Sequence, residues 1–498
     1  MTASAGIWML ASAGALLIAT GLPAWVVLIG VALAFAIGGV ALGTLSLPLL
    51  TAVPVRLIGL LENDLLQALP LYVLMGALLN HLPLAEIMFR AGNRALARTG
   101  AGGPLAALGL GVLFAPMNGS VGASVAMLGR VVQPRLDAQA MPSERSAALV
   151  CMASTLGVVI PPSLVLILLG DAMMRAHTEA LNLTHESMRV VNTQDVFIGA
   201  LVPAALLLLS AVLLTWRQGR KDAARAATGG QLPTLRVGEW ITAAVTMLFI
   251  AGLLGGVTLG YLYAVEAAAA GGVALFAFGL ATRTLTLPVL RDVLRDTMAI
   301  TGALFALLVA ATVFTLLVRA YGTDRWIAET LAGLGWSPFP VLLAVLCILA
   351  LCALVLDAFE MIFVVVPVVM PPLLTAVHNV TWVAVLTLLI LQASFLVPPF
   401  GYAVLMVRNS LKRPLRMDRL APALLPYLVA QLCVLALVLA VPRLVWQRNP
   451  IELIPGGAPA KSEVEGREML ERQLDEQLQA RPPDNEPANE APDSGAAK

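Results

Sequence analysis

The sequence predicts an all-α polytopic membrane protein whose two halves repeat one another, and three observations predict it. Of 498 residues, 59% are hydrophobic and only 12% charged, with a mean hydropathy of +0.88. A soluble chain of this size needs far more charge to cover its surface. Apolar runs long enough to span a bilayer recur from Ile7 to Trp446, whereas a membrane β-barrel would show alternating segments of about ten residues. Finally, two Pro-Pro pairs interrupt uncharged runs at corresponding places in the two halves, the pattern of paired discontinuous helices in secondary transporters.

In chain order, candidate membrane segments lie near 7–22, 24–43, 66–82, 104–136, 147–170, 196–216, 238–256, 260–281, 298–318, 339–356, 359–374, 380–411 and 422–446. The start, MTASAGIWML, has no basic n-region and reads as a first membrane segment, not a cleaved signal. Leu84–Thr99 carries Arg90, Arg94 and Arg98 on one face and reads as an interfacial amphipathic helix or a plain cytoplasmic connector. The organisation expected is N-terminal scaffold helices over 1–100 and a first repeat with its hairpin over 101–216. A cytoplasmic loop with scaffold helices follows over 217–296, then a second repeat with its hairpin over 297–449, and a disordered charged tail over 450–498 with a possible helix at 462–480.

Charge sets the orientation. The tail from Pro450 carries 11 acidic and 5 basic residues, leaving 19 acidic and 26 basic elsewhere. The basic stretches WRQGRKDAAR (216–225) and RNSLKRPLRMDR (408–419) are assigned to the cytoplasm, and 171–195 to the periplasmic side, as in a bacterial inner-membrane protein. The last helix is in conflict, because Arg443 and Arg448 flank the end that should lie outside.

The Pro-Pro breaks carry the functional reading. GVVIPPSLV (157–165) is matched by SFLVPPFGY (394–402), with Pro162 and Pro399 237 residues apart. The same offset carries Ser120 of NGSVGAS onto Asp357 of LVLDAFE. Proline has no N–H, so such a pair stops a helix and frees carbonyls, and irregular backbone at membrane depth persists only inside protein or beside a wet cavity. There the freed carbonyls can ligate a small cation, and half-helix N-termini suit an anion. The alternative is close helix packing through small residues. Asp357 is an ionisable group in an apolar run, costing about 2.5–3.5 kcal/mol on insertion scales, with Glu360 on the same face. A surface turn with both acids in water is the other reading. Glu266 is a second isolated acid.

Other chemistries lack their motifs. Four histidines are scattered, four cysteines (Cys151, Cys347, Cys352, Cys433) lie in apolar stretches, and HExxH, GxSxG and GxxxxGK[ST] do not occur. A gradient-driven carrier fits better than an ATP-driven pump or an enzyme. A channel would need a ring of filter residues around an oligomer axis.

The chain resembles the DctM-type large permease of tripartite ATP-independent periplasmic (TRAP) transporters from about Leu69 to Leu411. The residues that carry the likeness are PLYVLMGALL (70–79), GGPLAALGLGVLFAPMNGSVGASVAMLG (102–129), AALVCMASTLGVVIPPSLVLILLG, ALVLDAFEMIFVVVPVVMPPL and LQASFLVPPFGYAVLMVR. It departs from the family pattern at Ala358, where proline commonly follows the aspartate, at Val397, where threonine is common, and at YAVEA (263–267). Those changes look more like the branch associated with 2-oxo acids, hydroxy acids and polyols. The resemblance implies an inverted-repeat, ion-transporter-like fold with two re-entrant helical hairpins, working as an elevator-type carrier coupled to sodium. It implies a small four-helix DctQ-type membrane subunit and a periplasmic DctP-type solute-binding protein that delivers a small organic acid. It also implies two sodium sites, one at Asn118, Ser120, Gly157, Ile160 and Pro162, the other at Asp357, Ser394, Val397 and Pro399. Proton coupling, a stand-alone carboxylate carrier and a channel remain the alternatives.

Overall fold

The computed structural model describes residues 2–45, 51–62, 64–184, 191–225, 235–333, 335–410 and 416–445. All of these belong to one compact unit, Met1–Glu186 with Val190–Pro450. The tail and its possible helix at 462–480 lie outside the described residues. Among the described residues every regular element is helical, as the bilayer demands of a chain that must satisfy its own backbone. Among the described residues seven helices are long and apolar enough to cross a membrane, or up to nine if each of two bent pairs is one span.

The predicted segments appear as helices, and the over-long ones are split. The run 104–136 becomes Gly102–Phe114 and Val121–Val131. The run 147–170 becomes Ser143–Val159 and Leu164–Thr184, bent by 40° at the break. The run 380–411 becomes Val380–Ser394 and Tyr402–Ser410. Two helices were not anticipated: Ala52–Leu61 and Thr323–Gly333.

The repeat reaches well beyond the hairpins. Ala24–Ala41 corresponds to Ala264–Ala281, Gly102–Phe114 to Pro338–Cys352, and Ser143–Val159 to Val380–Ser394, with their ends offset by 235–240 residues. Two helix ends are built alike. The Gly39 carbonyl accepts from the N–H groups of Thr44 (2.8 Å) and Leu45 (3.1 Å), and the Gly279 carbonyl from those of Thr284 (3.0 Å) and Leu285 (3.0 Å). Each glycine lets the following leucine fold back: an added Cβ would meet Leu45 Cδ1 at 2.4 Å or Leu285 Cβ at 2.8 Å.

Packing concentrates the buried core on the broken elements. Ser143–Val159 packs on Gly102–Phe114, where an added Cβ on Gly111 would lie 2.3 Å from the Ala153 carbonyl oxygen. Leu164–Thr184 packs on Val366–Ala376, joining the two halves, and Val380–Ser394 is buried along its whole length. By contrast Val237–Leu259 exposes Ile241, Val245, Met247 and Leu248, an apolar outer face.

Ion pairs mark the two ends. Arg90–Glu239 (2.7 Å), Arg135–Glu86 and Arg145–Asp222 gather around the 216–225 end, while Arg175–Asp171 (3.0 Å) and Arg319–Glu179 lie at the other. Arg90 ties the Leu84–Ala95 helix to its neighbour, and the buried face of that helix is Leu84, Ala85, Met88 and Phe89. Met417–Ala440 begins beside Glu144, through Arg419 at 4.0 Å, and is hydrogen-bonded midway by Tyr427 to Thr215 at 3.1 Å. Its 24 residues span about 36 Å at 1.5 Å each, so Ala440 lies toward the end away from 216–225, and the flanking Arg443 goes with it.

Candidate functional site

The first break is held together by capping and close approach. Ser120 is the N-cap of Val121–Val131, its Oγ accepting from the Ala123 N–H at 3.1 Å. Gly119 before it has φ +73°, a left-handed conformation that favours glycine. On the other side of the site, the Ser143–Val159 helix ends just before Pro161 and Pro162. The Gly157 carbonyl has Pro161 four residues on, so no helical N–H reaches it. The Val158 carbonyl, opposite Pro162, is instead reached by the Ser163 hydroxyl at 2.9 Å, and that hydroxyl also caps the Leu166 N–H at 3.1 Å.

These two interruptions meet. An added Cβ on Gly157 would lie 2.4 Å from both the carbonyl carbon and the Cβ of Ala115. Between them is a cavity of about 10 Å³, lined by Ala115, Gly119, Ser120, Ser154, Gly157 and Ser163, among others. That is room for about one water-sized particle. Beside it Asn118 is 3% exposed; its Nδ2 donates to Ser124 Oγ at 3.2 Å, and its Oδ1 has no partner among the described residues. A buried amide oxygen without a donor is the acceptor that a small cation would satisfy. The donors here are hydroxyl and carbonyl oxygens. Among the described residues no three His, Cys, Asp or Glu side chains cluster as a metal site.

The second break repeats the plan. Asp357 is the N-cap of the next helix, as Ser120 is in the first half, and its N–H donates to Glu360 Oε2 at 3.1 Å. Both acids are half-buried, and both lie within electrostatic reach of Tyr402. A π-helical turn, Met361–Val365, follows. Ser394 ends its helix with Pro398 four residues on, so its carbonyl loses the same bond as that of Gly157 and accepts from the Val397 N–H at 3.2 Å. The Val397 carbonyl accepts from the Gly401 N–H at 2.7 Å and has one lone pair left for another partner. The Pro161–Pro162 and Pro398–Pro399 peptide bonds are both cis.

The two hairpins interlock through Tyr402–Ser410, which packs on Val121–Val131 and Ser143–Val159. An added Cβ on Gly122 would meet the Tyr402 hydroxyl at 3.1 Å, and Cys151 Sγ lies 3.7 Å from the Ala403 carbonyl. The tips differ. Pro162 is buried, whereas Pro399 and Phe400 are exposed. Of the first set, Ser120 and Gly157 line the cavity and Asn118 adjoins it in sequence; Ile160 and Pro162 are not among its lining residues. Glu266 has a local role, its Oε2 accepting from the Tyr263 N–H at 2.9 Å at a helix start.

Three polar residues escaped the reading of the sequence. Ser154 and Ser163 line the cavity. Gln392 is fully buried two residues before Ser394, and neither its Oε1 nor its Nε2 has a partner among the described residues. A lone glutamine in VTWVAVLTLLILQAS was the available signal.

A helical membrane protein with a broken hairpin and a broken crossing at matched places in each half is a transporter. The chain belongs to the family of the DctM component of tripartite ATP-independent periplasmic transporters, whose model matches residues 12–444. It is therefore a multi-pass protein of the bacterial inner membrane, and not an enzyme. It is 24% identical over 408 residues to the C4-dicarboxylate TRAP transporter large permease DctM of Rhodobacter capsulatus, covering 79% of this chain and 90% of the relative. It is 24% identical over 396 residues to the sialic acid TRAP transporter large permease SiaM of Vibrio cholerae, covering 78% and 87%. The crystal structure of the YdaH transporter of Alcanivorax borkumensis shares the fold, with a TM-score of 0.55, 16% identity and coverage of 79% and 87%.

Proposed function

We propose that the chain is the sodium-coupled import subunit of a TRAP system, working by an elevator-type movement and carrying a small organic acid. Its partners are a small four-helix DctQ-type membrane subunit and a periplasmic DctP-type binding protein that delivers the acid. The observation that carries this reading is the meeting of two interruptions at Gly157 and Ala115 around a cavity for one small particle. Two helices are broken there, and the broken backbone and the Asn118 amide supply neutral oxygens suited to a monovalent cation. The second sodium site takes Asp357, Ser394, Val397 and Pro399, by the repeat. The R. capsulatus and V. cholerae relatives are named for C4-dicarboxylate and sialic acid, and both names support an organic acid as cargo.

The test is reconstitution. The chain and its small subunit are placed in liposomes, and uptake of the binding protein's own ligand is measured with and without binding protein and a sodium gradient. Uptake that requires both supports the proposal. Uptake that ignores both rejects it, pointing to a stand-alone carrier if it is saturable and to a channel if it is not.

A further inference from the structure

A second, far larger cavity, of about 860 Å³, lies at the end of the molecule away from 216–225. That volume is in the range of small-molecule sites. Its walls come from Arg56 and Leu60, from the Asp171–Leu183 stretch of Leu164–Thr184, from Leu308–Arg319 of Leu287–Ala320, and from Ile362, Phe363 and Pro367. Four arginines line it, Arg56, Arg175, Arg319 and Arg325, against two carboxylates, Asp171 and Glu179. Arg175 is paired with Asp171 at 3.0 Å, and Arg319 with Glu179. Among the described residues Arg56 and Arg325 have no carboxylate within ion-pair distance, so the lining holds four guanidinium groups against two carboxylates, with Asp324 also within electrostatic reach of Glu179. Asp171 Oδ1 is buried without a partner among the described residues, an acceptor that a water or another donor would satisfy.

The same helix lines both cavities. Leu164 and Val165 border the small one, Asp171 to Leu183 the large one, about 9 Å farther along at 1.5 Å per residue. In the other half, Ile362 and Phe363 lie on the turn that follows Asp357 by five and six residues. Each interrupted segment therefore leads within two helical turns to one cationic chamber.

We infer that this chamber is an anion-binding vestibule, in which Arg56 and Arg325, with Arg319 shared from Glu179, receive a small organic carboxylate before it passes between the two broken helices. Guanidinium groups suit this task because their paired N–H donors match a carboxylate and never lose their charge. Arg56 and Arg325 are both exposed, so their field reaches an incoming anion through water and is weakened by salt. This rests on the reading of the chain as a carrier of organic acids and adds the place where the acid is first held.

The experiment needs no knowledge of the cargo. Thr178→Cys places a thiol in the chamber wall of the full-length chain, in a background where the other accessible cysteines are removed by Cys347→Ala, Cys352→Ala and Cys433→Ala. Its modification rate is compared for an anionic and a cationic methanethiosulfonate of similar size, with and without Arg56→Gln and Arg325→Gln. The anionic reagent is expected to react faster, and the anion-to-cation rate ratio to fall by about tenfold or more in the double variant, since two charges within a Debye length are removed. Equal rates for the two reagents, or a ratio unchanged by the double substitution, overturns the vestibule. That outcome is separate from loss of the carrier reading, which shows only as wild-type uptake that ignores sodium and binding protein.

Discussion

Gly157 lies against the backbone of Ala115 so closely that a single added carbon would sit 2.4 Å from it. The contact brings two helix interruptions, 42 residues apart in the chain, to one point. In a bilayer this is where unsatisfied backbone can be tolerated, because each break shields the other from lipid.

Gly157→Ala is therefore expected to force the breaks apart. The overpacking costs about 1–3 kcal/mol, read as a lower melting temperature of the purified chain, together with loss of sodium-dependent uptake. Gly109→Ala is the control, since nothing lies within 4 Å of an added Cβ there. Equal melting temperatures for the two variants would show that the contact is not tight.

Asn118→Ala removes an amide oxygen that no described donor satisfies. The sodium concentration for half-maximal uptake should rise about tenfold or more, the loss of one buried ligand being worth at least 1.4 kcal/mol. Gly109→Ala, with nothing within 4 Å of its added Cβ, should leave it unchanged. A sodium response unaltered by Asn118→Ala would take this residue out of the site.

Asp357→Asn keeps the shape of an N-cap and removes its charge. Sodium-coupled uptake should fall strongly at normal expression. Unchanged sodium dependence would assign Asp357 to helix capping alone.

Arg90 and Glu239 are each about a quarter exposed and 2.7 Å apart. A double-mutant cycle with Arg90→Ala and Glu239→Ala should return a coupling of about 1 kcal/mol or less, measured by denaturation in detergent. A coupling of zero would mean that the apolar face of Leu84–Ala95 alone anchors the helix.

Much of this was legible in the sequence, for a definite reason. Lipid removes water as a partner for the backbone, so a proline pair in an uncharged run has few explanations, and the 237-residue offset supplied a second instance. Asp357 fell on Ser120 by that arithmetic, and both are N-caps. The dipeptide alone would have misled: Pro371 and Pro372 lie inside the Val366–Ala376 helix. The wider repeat was hidden because Ala24–Ala41 and Ala264–Ala281 share apolarity more than identity. Ala52–Leu61 and Thr323–Gly333 escaped because both are short and carry charge, Arg56 in one and Asp324, Arg325 and Glu329 in the other. The large cavity could not be read at all, since its arginines come from helices far apart in the chain.

The central claim is that the paired interruptions hold a sodium ion. Melting of the purified wild-type chain in sodium against potassium at equal ionic strength tests it most directly. A ligand that binds only the folded state stabilises it by about 2.7 kcal/mol at a hundred times its dissociation constant. The account predicts a higher melting temperature in sodium that disappears in the Asn118→Ala, Asp357→Asn double variant. Identical melting in the two salts, or a sodium shift that survives both substitutions, would contradict it.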